Sequence, residues 1–247
     1  MRSTGVILAV AIALMFGPGA LAQTYIVPDG DCGAITLHAT RGTDFPNLGE
    51  TIGAARVKET HVSNSPSPGM NPGMPSQRVA LKPAGGGPRS LDFNTPFNVV
   101  PEDGVVMAAV DFKPAVTGNE TQTEHAKAFI FCGPIAPMAD WQRSAGLGLE
   151  IYPQGWNPGR RHLKAGDSMW FIAVDKATNK LIHDLPMELY RAGAGPITDG
   201  VPNRSGGMSF PYPQPGWYMV TTTYRRPDPQ QPKHWLVDRS TLTFEIK

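Results

Sequence analysis

The chain has little of what most specialised functions need. It holds two cysteines in 247 residues, and beyond its first 22 residues no apolar stretch approaches the 18 or more that a membrane-spanning helix requires. Its 22 Lys and Arg balance 21 Asp and Glu, and the densest basic clusters are only Arg160-Arg161 and Arg225-Arg226. A nucleic-acid or polybasic membrane binder needs a basic surplus or stripe, so this balance argues against both partners. No GxSxG elbow or ordered Ser/His/Asp pattern is present. Gly85-Gly86-Gly87-Pro88 is followed by neither Lys-Ser nor Lys-Thr, so it reads as a turn rather than a phosphate cradle. The six histidines include no HxH or HExxH pair, so any metal site has to be assembled by the fold. A general base needs a positioned partner, and none is advertised; the chain reads as a non-enzyme.

What is present begins at the N-terminus. Arg2, the apolar run Val6 to Phe16 and the small-residue site Ala20-Leu21-Ala22 form a signal peptide over residues 1–22. Cleavage before Gln23 leaves 225 neutral residues, expected in the periplasm or secreted, with no membrane insertion afterwards. In that oxidising compartment Cys32 and Cys132 read as one disulfide, which closes a loop of about 100 residues and contributes roughly 4 to 5 kcal/mol. A pair of soft metal ligands is the alternative.

Glycine (27) and proline (25) are spread throughout without a period, and no long helical pattern appears. Short alternating or apolar runs predict strands at 34–40, 77–81, 105–112, 126–132, 147–152, 169–174, 187–191, 208–212, 217–224 and 241–246. The fold class is all-β, with two immunoglobulin-like or transthyretin-like sandwich units. An N-terminal sandwich covers 23–133 with an exposed Pro/Gly/Met loop at 64–76, a linker covers 134–145, and a second sandwich covers 146–247. Met70 and Met74, with His61 upstream, are too few soft ligands for a copper segment. Thr121 and Glu124 have capping-box spacing and predict a short helical turn before the strand that ends at Cys132.

Metal-ligand candidates are His125, which starts that strand, His38 and His61. Trp170 and Trp217 lie within strand patterns and are assigned to the core. Trp156 and Trp235 lie in Pro-rich polar stretches, where an aromatic ring can stack a sugar or anchor a protein partner.

The blocks GLGLEIYP, LKAGDSMWFIAV, GGMSFPYPQPGWYMVTTTY and STLTFEI, with AITLHATRGTDFPNLGETIGAAR and EHAKAFIFCG upstream, carry a resemblance that spans nearly all of the mature chain. They are similar to a bacterial exported family of unknown biochemical function, often labelled as periplasmic nickel or cobalt uptake accessory proteins. The resemblance implies a divalent metal such as nickel or cobalt as ligand and an envelope transporter or receptor as partner. Relatives commonly begin the mature chain with Ala-His, whereas this one begins Gln23-Thr24-Tyr25 and lacks that imidazole. The reading is an exported binding or transport-accessory protein, with a carbohydrate- or protein-binding interaction module of the cell envelope as the alternative.

Overall fold

The computed structural model describes residues 22–30, 34–66, 77–95, 104–132, 144–154, 168–197, 200–211 and 215–246. The fold is all-β, built as three layers with one long sheet in the middle. The first outer sheet runs β1 (Gln23–Asp29), β2 (Thr36–Gly42), β7 (Leu91–Asn94) and β6 (Gly85–Gly86), with β3 (Glu50–Thr51) also on β2. The second runs β11 (Leu149–Gln154), β12 (Ser168–Asp175), β17 (Met208–Pro211) and β16 (Val201–Pro202), with β13 (Lys180–Ile182) on β12.

Both halves of the chain supply the central sheet. In spatial order it contains β15 (Gly195–Ile197), β14 (Met187–Arg191), β18 (Gly216–Pro227), β19 (Trp235–Ile246), β10 (Glu120–Cys132), β8 (Gly104–Phe112), β4 (Val57–Pro66) and β5 (Gln77–Ala80). A ninth strand, β9 (Ala115–Thr117), pairs with β10. The halves meet where β10 and β19 run parallel, in register from Glu120 opposite Trp235 to Phe129 opposite Phe244. Each half adds its own outer sheet, so the two halves are joined through a shared middle layer. Most of the expected linker lies outside the described residues.

Because side chains alternate along a strand, every central strand feeds two cores. One face packs Val106, Ala108, Val110, Phe112, Ala126 and Ala128 against Ile26, Leu37, Ala39 and Phe93 of the first outer sheet. The other packs Phe129, Leu189, Tyr218, Val220, Leu242 and Phe244 against Leu149, Ile151, Met169, Phe171 and Phe210 of the second. Tyr218 and Phe244 stack with ring centroids 5.7 Å apart. Burying each such side chain contributes about 1.5–3 kcal/mol, so both interfaces are substantial.

Three local expectations change. Thr121 to Glu124 lie within β10 rather than in a helical turn, because their backbone joins the ladders to β9 and β19. A one-turn helix satisfies fewer backbone groups than two neighbouring strands do. Asn64 to Pro66, expected in the exposed loop, close β4 and pair with β8. Trp235, expected in a loop, is the first residue of β19. The expected pairing of Cys32 with Cys132 falls outside the described residues, since Cys32 and the side chain of Cys132 lie outside them. Among the described residues no helix is long and apolar enough to cross a membrane.

Candidate functional site

The three histidines expected as metal ligands occupy different environments. His38 sits on β2, with Nδ1 2.7 Å from Asp92 Oδ1 and Nε2 3.8 Å from Asp29 Oδ2. Ser90 Oγ donates to the same Asp92 oxygen, at 2.7 Å. His61 is buried on β4, its Nδ1 3.7 Å from Glu59 Oε1.

His125 is buried at the parallel seam, opposite Asp111 on β8 and Ser240 on β19. Its Nδ1 lies 2.7 Å from Asp111 Oδ1, and its Nε2 lies 3.5 Å from Asp238 Oδ1. Asp111 also accepts from Lys58 Nζ at 2.8 Å, and Asp238 accepts from Arg226. Desolvation alone would pull the His125 pKa down, but hydrogen bonding and charge from Asp111 and Asp238 outweigh it and raise it. For both carboxylates desolvation acts upward and is outweighed by His125 with Lys58 or Arg226, which hold them below the usual carboxylate range. Gly148 lies against this ring: a Cβ there would fall 2.9 Å from His125 Cε1.

Two residues along the same strand face, Lys127 is completely buried. Its Nζ lies 2.9 Å from Glu150 Oε1 and 4.4 Å from the centre of the Tyr152 ring. Glu150 also accepts from Ser144 Oγ at 2.9 Å and from the Ala145 backbone N–H. Burial pushes the Lys127 pKa below the ordinary lysine value, against the pull of Glu150. The Tyr152 hydroxyl is pushed up, first by burial and then by the Glu150 charge.

Most polar atoms of these clusters pair within the cluster, while His125 Nε2, 3.5 Å from Asp238 Oδ1, is buried without a closed hydrogen bond among the described residues. Among the described residues no group of three or more His, Cys, Asp or Glu side chains converges to hold an ion. A structural or catalytic zinc-type site usually draws on at least three such ligands, and among the described residues His38, His61 and His125 are not brought together.

An open cleft instead lies on the outer side of the second outer sheet. It has a volume of about 460 Å³ and is lined by Ser144, Tyr152, Gln154, Ile172, Val174, Lys176, Asn179 and Leu181. Its apolar wall follows from β12, where Ile172 and Val174 alternate with the core residues Phe171 and Ala173. Trp170 shares that alternation, stands opposite Gln154 on β11, and is 41% exposed. The expected core position of Trp170 is therefore overturned, because MWFIAV is apolar on both faces and only one face is covered. Lys176 Nζ donates to Asn179 Oδ1 at 3.0 Å, which fixes the polar rim.

The other aromatic candidates are placed differently. Trp217 is partly buried against Tyr25, Phe45, Tyr190 and Met219. One face of the Trp235 ring is taken by the Arg225 guanidinium, 4.0 Å from the ring centre, and Arg225 pairs with Glu120 at 3.0 Å. Trp156 lies outside the described residues. The cleft residues were not singled out by the sequence; the signal it did carry was the strand with two apolar faces.

No protein-family model matches the chain, and no curated protein matches it. The likeness to exported nickel or cobalt accessory proteins thus rests on the residue blocks alone.

Proposed function

We propose that the chain is a non-enzymatic binding protein of the cell envelope that takes a carbohydrate chain on the outer face of its second outer sheet. The observation that carries this reading is the exposed Trp170 opposite Gln154, on the same face of β12 as the cleft's apolar wall of Ile172 and Val174, with the Asn179 amide farther along the cleft. A sugar ring presents apolar C–H faces and a girdle of hydroxyls, which suit a flat aromatic on one surface with amides that both donate and accept. The cleft is open rather than enclosed, as a polymeric ligand requires. Among its lining residues Lys176 carries the one formal charge, which favours a neutral ligand over a strongly cationic one. Work outside the cytoplasm is supported by Arg2, the apolar run Val6 to Phe16 and the Ala20-Leu21-Ala22 site.

The test is retention of the purified protein on immobilised cell-wall glycans, followed through the fluorescence of its tryptophans. Trp170→Ala and Gln154→Ala should each weaken retention about tenfold while the β-sheet circular dichroism stays unchanged. Equal retention of both variants and the wild type would reject the reading, as would failure of the wild type to bind any glycan offered.

A further inference from the structure

The opposite interface holds an unbalanced charge cluster that the carbohydrate reading does not use. Glu124 on β10 is buried beneath the first outer sheet. Arg41, from the inward face of β2, approaches one carboxylate oxygen of Glu124 at 3.7 Å, and Arg56, after β3, approaches the other at 3.8 Å. Arg239 is directly opposite Glu124 in the parallel ladder, which puts both side chains on one face of the central sheet. That face is turned to the first outer sheet, since Thr241, two residues on, donates to the Thr24 carbonyl at 2.7 Å.

Two guanidiniums therefore approach one carboxylate, and a third arginine shares its face of the sheet directly opposite it in the ladder. A closed Arg–carboxylate fork brings nitrogen and oxygen to about 2.7–2.9 Å, and both contacts here stop well short of that. The Nε atoms of Arg41, Arg56 and Arg239 are all buried without a hydrogen-bond partner among the described residues. So is Oγ1 of Thr24, a residue 4% exposed and opposite Arg41 in the β1–β2 ladder. Glu50, the neighbour of Arg41 on β3, is exposed and makes no ion pair among the described residues. Buried N–H donors without acceptors are costly, and a local excess of positive charge adds to that cost. One species relieves both at once: an anion with several acceptor oxygens. The side chains of Arg41 and Arg56 are 39% exposed, so the cluster is reachable from solvent.

We propose that Arg41, Arg56 and Arg239 form a binding site for an oxyanion, of phosphate or carboxylate type, in competition with Glu124. Arginine forks match the paired oxygens of these groups, whereas chloride offers no such geometry. The chain's near-neutral total charge makes the selectivity local rather than a general attraction for anions.

Titration of the full chain with inorganic phosphate at constant ionic strength, followed by calorimetry, tests the site. Expected is saturable binding that chloride does not reproduce. Arg239→Ala should weaken it at least about tenfold, and Arg239→Lys, which keeps the charge but loses the fork, should fall between. Glu124→Gln should tighten binding several-fold by removing the competing carboxylate, whereas a purely structural cluster would only lose stability. A second arm replaces phosphate with phosphatidylglycerol vesicles and, as control, phosphatidylcholine vesicles. Arg239-dependent binding of phosphate assigns the site to a free anion, and Arg239-dependent binding of the anionic vesicles alone assigns it to a lipid headgroup. No saturable binding in either arm, or binding unchanged by Arg239→Ala, overturns the proposal.

Discussion

The two faces of the central sheet handle buried charge in opposite ways. Toward the second outer sheet, Lys127 meets Glu150 at 2.9 Å and His125 meets Asp111 at 2.7 Å, so each charge has a close partner. Toward the first outer sheet, Glu124 has two arginines no closer than 3.7 Å and a third beside it on the ladder. Short, matched pairs satisfy their own desolvation cost and serve the fold. A surplus held at a distance leaves donors available, and such donors serve a ligand.

The comparison breaks most visibly at Lys127 and Glu150. Glu150→Ala strands a fully buried ammonium and should lower the unfolding free energy by about 3–5 kcal/mol in urea denaturation. The double variant Lys127→Met with Glu150→Leu should recover most of that loss, since apolar replacements of similar volume remove both desolvation costs. A double variant as unstable as the single one would mean that packing, rather than charge, dominates there.

A smaller effect belongs to His125. Its pKa is raised above the ordinary 6.5, so the stability it contributes is complete below 6.5 and is lost as pH rises through the higher folded value. A tenfold gain in proton affinity on folding corresponds to about 1.4 kcal/mol. Asp111 and Asp238 are lowered, so their contribution is present above the ordinary carboxylate value and lost as pH falls through their folded values. Stability should therefore peak between those ranges, and His125→Gln should flatten the alkaline side of the profile. An unchanged profile in that variant would remove His125 as its origin.

The smallest effect is expected at the arginine cluster. Its two ion-pair contacts are long and involve arginines more than a third exposed, so solvent screening leaves Glu124→Gln a change within about 1 kcal/mol. A loss comparable to that of Glu150→Ala would erase the contrast between the faces.

Much of the fold was legible in residue order. Met187 to Arg191 is a strand with the bounds read from its alternation, and the strand read at 105–112 differs from the observed one by a single residue. Strands whose alternation is masked by polar residues were not legible: β4 reads VKETHVSNSP, and of its described side chains Val62 is buried in the apolar core and Val57 packs partly against it. In β10 the alternation marks Ala126, Ala128 and Ile130 as one buried face. It gives no hint that the opposite face, with His125 and Lys127, is buried too, because two-sided burial comes from the third layer. Lys127 and Glu150 are 23 residues apart, and Arg239 comes opposite Glu124 only through the seam. Neither candidate site has a local motif, since each is made by strands that meet after long excursions.

The parallel seam also sets a constraint on assembly. Thr121 and His234, which hydrogen-bond at its entrance, are 113 positions apart, and a central β10 awaits a partner from the last strand of the chain. Until β19 arrives, one edge of β10 offers a row of unpaired backbone groups on a long strand, the surface most prone to pair with another molecule. Closing so long a loop before any contact repays it makes folding slow. Until β19 (Trp235–Ile246) is in place, that edge of β10 stays open to pairing with other chains.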